Sequence, residues 1–174
     1  MPERPVPTVR VLTADDAPAY REVRLTGLRG EPLAFITTAR EYEVRPLAEI
    51  AARLDPTSGV VNFGAFLEGS LVGILTVLRE TRPALAHRVE IVAVSVLPEM
   101  RGCGAGASLV EAGVTQARAW PGVTSLHLAV TETQNAARRL YERHGFRVWG
   151  TEPDAVCHGG QMYAQHHLWL SLNE

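Results

Sequence analysis

Between Arg88 and Trp120 the chain switches from strand to helix across a short glycine-rich segment. Arg88–Leu97 (RVEIVAVSVL) is a β-branched apolar run that Pro98 ends. Gly104–Trp120 has small residues in its first turn and helical character beyond, until Pro121-Gly122 breaks it. The joint reads Pro98-Glu99-Met100-Arg101-Gly102-Cys103-Gly104-Ala105-Gly106-Ala107. A strand that hands over to a helix through such a loop restricts the chain to folds where a helix N-terminus opens beside the end of a strand. The physics there favours an anion. Glycines let backbone N–H groups surround its oxygens. The helix adds roughly half a positive charge, and Arg101 adds a full one with a forked donor geometry. The same glycines would also serve close packing of helix on sheet.

The flanking elements follow from period and turn chemistry. Thr8–Leu12 is a short strand, and a helix behind Thr13-Ala14-Asp15-Asp16 ends at Gly30. Pro46–Leu54 is a second helix. Val60–Leu67 and Leu71–Arg79 are strands joined by the hairpin signal Glu68-Gly69-Ser70. Thr81–Ala86 is a loop, Ser125–Val130 a strand, and Gln134–His144 a helix capped by Gly145. Phe146–Gly150 and Met162–Leu172 close the chain as strands, joined by a loop holding Pro153, Gly159 and Gly160. The order β-α-α-β-β-β-α-β-α-β-β predicts an α/β (α+β) protein with a mixed sheet. All 174 residues read as one domain, with Met1–Pro7 as a flexible lead-in.

Composition removes several function classes. All 17 basic residues are arginine, which excludes a Walker loop and a lysine Schiff base. A net charge of −2 gives no electrostatic footprint for nucleic acid or anionic membrane. No apolar stretch is long enough to span a bilayer. Cys103 and Cys157 lie far apart with no secretory leader ahead of them, as expected of reduced thiols in a cytoplasmic protein. Cys157, His158, His166 and His167 match no zinc spacing, so no metal is expected. Gly102-x-Gly104-x-x-Ala107 matches the dinucleotide fingerprint. That reading fails twice, because Pro98–Arg101 separates the motif from its strand and Leu128-Ala129-Val130 ends the next strand without an acid.

Arg101-Gly102-Cys103-Gly104-Ala105-Gly106 is similar to the R/Q-x-x-G-x-G/A signature of the GNAT acetyltransferases. Asn135-Ala136-Ala137-Arg138-Arg139-Leu140-Tyr141-Glu142-Arg143-His144-Gly145-Phe146 resembles the second motif of that family, an amide followed by A-x-x-L-Y-x-x-x-G-F. Together the motifs cover Arg88–Gly150, whereas the first 80 residues resemble the family only in element order. The resemblance implies a twisted, mostly antiparallel sheet of about seven strands flanked by about four helices, its parallel central strands splayed apart. It implies acetyl-coenzyme A as co-substrate, an amine acceptor, and a homodimer. Arg101, Gly102, Cys103, Gly104, Ala105, Gly106 and Ala107 would hold the pyrophosphate, and the main chain of Val94 and Val96 the pantetheine. The family amide falls on Gln134, with Asn135 one residue later, and either would contact the coenzyme.

The same resemblance points to two catalytic groups. A lysine-like amine has a pKa near ~10.4 and must lose a proton before it attacks. Period two places Glu90 with Val92, Val94 and Val96 on one strand face, and Glu90 matches a family position that often carries the base. A solvated carboxylate paired with Arg88 is the structural alternative. Tyr141 matches the tyrosine set beside the coenzyme sulfur, where a phenol can protonate the leaving thiolate; packing on Leu140 or Phe146 is its alternative. Arg138, Arg139 and Arg143 form a cationic face on the same helix, for solvent or for the coenzyme's adenosine phosphate. Ala164-Gln165 stands where the family often has acids. The expected function is transfer of acetyl from acetyl-coenzyme A to a primary amine of a small molecule or peptide, by direct attack in a ternary complex. The alternative is a non-catalytic acyl-coenzyme A-binding regulatory module.

Overall fold

Seven apolar, turn-bounded runs become seven strands of one sheet. In the computed structural model, which describes residues 5–173, these are β1 (Thr8–Val11), β2 (Val60–Leu67), β3 (Ser70–Arg79), β4 (Arg88–Val96), β5 (Ser125–Thr131), β6 (Arg147–His158) and β7 (Gln161–Ser171). Of the expected lead-in Met1–Pro7, residues 1–4 lie outside the described residues. The strand order is β1-β2-β3-β4-β5-β7-β6, and all pairs are antiparallel except β4 with β5.

The helices are α1 (Ala17–Gly30), α2 (Ala39–Glu43), α3 (Leu47–Leu54), α4 (Ala105–Ala119) and α5 (Asn135–Arg143). α1 and α3 bury Tyr20, Val23, Leu28, Ile50 and Leu54 against one face, in a cluster with Ile74. On the other face Leu109 of α4 and Tyr141 of α5 join Leu75, Val77, Ile91 and Leu126. The five-residue α2 is too short to show periodicity. It is fixed at its start by Thr38 and Glu41: the Glu41 N–H donates to Thr38 Oγ1 at 3.2 Å and the Thr38 N–H to Glu41 Oε2 at 2.8 Å.

Both hairpins differ from expectation. The β2–β3 turn is Glu68-Gly69 alone, both at positive φ, and Ser70 already belongs to β3. The loop expected between Gly150 and Met162 is mostly strand: β6 runs to His158, and only Gly159-Gly160 turns. Pro153 is tolerated because β6 is the outer strand and its register shifts between Glu152 and Val156.

The centre of the sheet is irregular in a way that opens it. β4 and β5 pair only through Arg88–Glu90 and Ser125–His127, so the two strands part beyond that rung. On its other edge β4 carries a bulge. Ile74 and Thr76 face Ser95 and Val92, three steps on β4 against two on β3, and Ala93 adopts φ +54°. The bulge inverts the alternation. Glu90 and Val92 share a face with Ser95, which meets α1 at Gly27, whereas Val96 meets α4 at Gly106. The expected common face of Glu90, Val94 and Val96 is therefore corrected: Glu90 and Val96 point to opposite sides.

Candidate active site

α4 can start so close to β4 because Gly104 takes the left-handed conformation, φ +92°, which a residue with a Cβ strongly disfavours. The N–H groups of the first turn then lack intrahelical acceptors and face outward from the helix. They border a cavity of about 480 Å³ between the loop, β4 and α5. Of the residues expected to hold the donor, Val94, Val96, Arg101, Gly102, Gly104, Ala105, Gly106, Ala107 and Gln134 line it; Cys103 and Asn135 do not. Asn135 is exposed at the start of α5. Gly106 lets α5 approach, since a Cβ there would lie 3.1 Å from Leu140 Cδ2.

Two charges guard this cavity. Arg101 Nη2 lies 3.0 Å from Glu31 Oε1, and both residues line the opening. Of the three arginines on α5, Arg143 reaches the lining, while Arg138 pairs with Glu142 at 2.9 Å along the helix.

The cavity continues into a narrow space of about 90 Å³ where Ile91–Val94 parts from Leu128–Thr131. Gln134, Ala137 and Tyr141 line both spaces. Tyr141 is buried, its ring edge-on to Phe146 at 5.8 Å, and burial pushes its phenol well above the ordinary tyrosine range.

Glu90 is not brought together with Tyr141. It is exposed at the last paired rung, opposite His127, and opens into a separate cavity of about 550 Å³ with Arg79, Arg88, His167 and Trp149. Burial, reinforced by Arg88 and His87, lowers His127 to about 4, so its imidazole is neutral at pH 7. Its Nε2 lies 2.9 Å from Ser125 Oγ.

A third cavity, about 450 Å³, lies on the α1 face and includes Tyr20, Arg24, Tyr42, Asn62 and Thr76. Ala93 at the bulge lines both this cavity and the narrow space on the donor side. Sequence reasoning singled out neither this cavity nor Phe35 at the donor opening. The one local cue nearby was the Thr38-x-x-Glu41 capping pattern that orders the Tyr42 helix.

The parted central strands and the loop opening onto them are the arrangement that the resemblance to the GNAT acetyltransferases implies. Comparison with known proteins agrees. Residues 25–146 match the acetyltransferase (GNAT) family. Mycothiol acetyltransferase from Salinispora tropica is 36% identical over 81 residues, which are 47% of this chain and 26% of that protein. The chain thus aligns with about a quarter of that relative. The solved structure of yncA from Salmonella typhimurium with its cofactor acetyl-CoA superposes with a TM-score of 0.82 at 22% identity, over 97% of this chain and 95% of that one. A GNAT superfamily phosphinothricin acetyltransferase from Sinorhizobium meliloti in complex with AcCoA gives 0.83 at 20% identity, over 96% and 89%. The chain belongs to the acetyltransferase (GNAT) family.

Proposed function

We propose that the chain transfers acetyl from acetyl-coenzyme A to a primary amine of a small molecule or peptide, by direct attack in a ternary complex. The observation that carries this reading is the parting of β4 from β5 immediately beside the glycine loop. Relatives with acetyl-CoA bound share the fold, which supports the donor. The relatives' names differ, one for mycothiol and one for phosphinothricin, and so favour no single acceptor.

The coenzyme supplies an activated acetyl thioester. Arg101 and the first-turn N–H groups of α4 hold its pyrophosphate. The edge of β4 beyond Glu90, without a strand partner, offers main-chain groups to the pantetheine amides. Tyr141 donates a hydrogen bond to the departing sulfur. Burial weakens the phenol as an acid, but the same dry surroundings raise the proton affinity of a thiolate, so donation is retained. Glu90 accepts the amine proton through water, because it and Tyr141 line different cavities. The reading includes a cytoplasmic homodimer, for which cell fractionation and sedimentation equilibrium are the tests.

Calorimetric titration with acetyl-CoA, followed by coenzyme release and product mass on an amine panel, tests the function. Saturable binding and acetylated product are expected. Tyr141→Phe should lower kcat about 10–100-fold with little change in donor affinity. Glu90→Gln should lower kcat/KM about tenfold or more with little change in donor affinity. Unchanged turnover in both variants would overturn the assigned roles, and binding without turnover of any amine would favour the regulatory module.

A further inference from the structure

The α1-face cavity holds a cation, Arg24, that makes no ion pair among the described residues. Arg24 of α1 lines it, and its Nη1 is buried without a hydrogen-bond partner among the described residues. The Tyr42 hydroxyl from α2 is buried and equally unpartnered. A buried donor left unsatisfied is costly, most of all on a charged group. The other two arginines of the lining differ: Arg45 and Arg53 approach Glu49 Oε1 at 3.6 and 2.9 Å. The one lining acid, Asp55, accepts the Ala14 N–H at 2.8 Å.

The surroundings hold these groups in place. The Arg24 guanidinium stacks on Phe35, Cζ 4.6 Å from the ring centroid. Phe35 lines the donor cavity on its own side. Arg45 covers the Tyr42 ring at 5.2 Å. The polar floor satisfies itself: Thr76 Oγ1 donates to Asn62 Oδ1 at 2.6 Å, and Asn62 Nδ2 donates to the Arg53 carbonyl at 3.0 Å. Arg24 Nη1 and Tyr42 Oη are thus the fully buried side-chain donors left without a partner among the described residues. Ile50, Leu54 and Leu78 add apolar wall.

We propose that this cavity is the acceptor site and that Arg24 and Tyr42 bind an anionic group of the acceptor, so that the substrate is a compact amino acid whose carboxylate they hold. A carboxylate offers two acceptor oxygens to the two free donors. Ala93 lines both this cavity and the space where the donor strands part, which sets the amine end of such a molecule beside that space. The cationic wall also favours the neutral form of an amine beside it, the form that attacks. The proposal rests on the acetyltransferase reading for the reaction, but not for binding of the anion.

The test uses matched probes: L-leucine, L-methionine and L-phenylalanine, each against its amide. Calorimetry on the full chain, free and saturated with coenzyme A, gives affinity, and coenzyme release from acetyl-CoA gives kcat and KM. Each acid should bind about tenfold or more tightly than its amide. Arg24→Gln should abolish that difference, and Tyr42→Phe should reduce it, with the loss in KM rather than kcat. Circular dichroism checks that each variant folds. Equal affinity for acids and amides, no acid bound by the wild type, or an acid preference surviving Arg24→Gln would overturn the proposal. If acids bind as expected but no amine is acetylated, the carboxylate site stands and the acetyltransferase reading falls. If only amines without an anionic group are acetylated, the reverse holds.

Discussion

At the scale of single residues, the donor site is already electrostatically engaged. If Arg101 holds the pyrophosphate as proposed, it exchanges Glu31, at 3.0 Å, for a phosphate oxygen when the coenzyme enters. The pair is partly exposed, so its loss is worth little, and Glu31→Gln should tighten acetyl-CoA binding by at most about fivefold. Arg101→Ala should weaken it about tenfold or more, with a shallower dependence on salt. Calorimetry at two ionic strengths checks both; affinity unmoved by Arg101→Ala would take this side chain out of the phosphate site. The loop was legible because its chemistry is contiguous in sequence. Gln134 and Asn135 could not be separated by sequence, since only the turn into α5 decides that Gln134 lines the donor cavity and Asn135 faces solvent. Arg24 read only as one position in the helical recurrence before Gly30, and Tyr42 carried no signal. They become a site only because α1 and α2 bring them to one cavity from positions 18 residues apart.

At the scale of elements, close approach of α1 to β4 sets the geometry between the two sides of the sheet. A Cβ at Gly27 would overlap Ser95 Oγ and lie 3.2 Å from Ser95 Cβ. Gly27→Ala should therefore destabilise the fold by about 1–3 kcal/mol through overpacking, although alanine favours the helix by up to about 1 kcal/mol. Ser95→Ala in the same chain should restore part of the loss. Urea unfolding checks this, and a higher midpoint for Gly27→Ala would mean that α1 is not seated so tightly. Strand and helix periods made most elements from Arg88 onward readable, and the β2–β3 hairpin announced itself through Gly69, whereas Gly159-Gly160 read only as part of a longer loop. The bulge at Ala93 was not readable. Nothing in Val92-Ala93-Val94 departs from a regular strand pattern, and the extra residue is imposed by pairing with β3. Pro153 misled in the opposite direction, because only the position of β6 at the sheet edge permits a proline there.

At the scale of the whole molecule, the sheet halves β1–β4 and β5–β7 meet through one short parallel rung, and His127 sits in it. Its pKa is depressed from 6.5 to about 4 in the folded chain, chiefly by burial. A depressed folded pKa contributes stability that is complete above the unfolded value. That contribution is lost as pH falls from about 6.5 through about 4, by at most about 1.4 kcal/mol per pH unit. The urea midpoint should fall across this window, and His127→Gln should flatten the fall. A donor lying between the parted strands would act against such weakening, because it adds main-chain contacts where Ile91–Val94 and Leu128–Thr131 have none with each other. Binding to the folded state alone stabilises by about 2.7 kcal/mol at a ligand concentration 100 times Kd. Saturating acetyl-CoA should thus slow amide hydrogen exchange in Ile91–Val94, Leu128–Thr131 and the first turn of α4, more than in the outer strands β1 and β6. Protection confined to the α4 turn would mean that the loop holds phosphate while the pantetheine lies outside the sheet, and the strand-edge part of the reading would be lost.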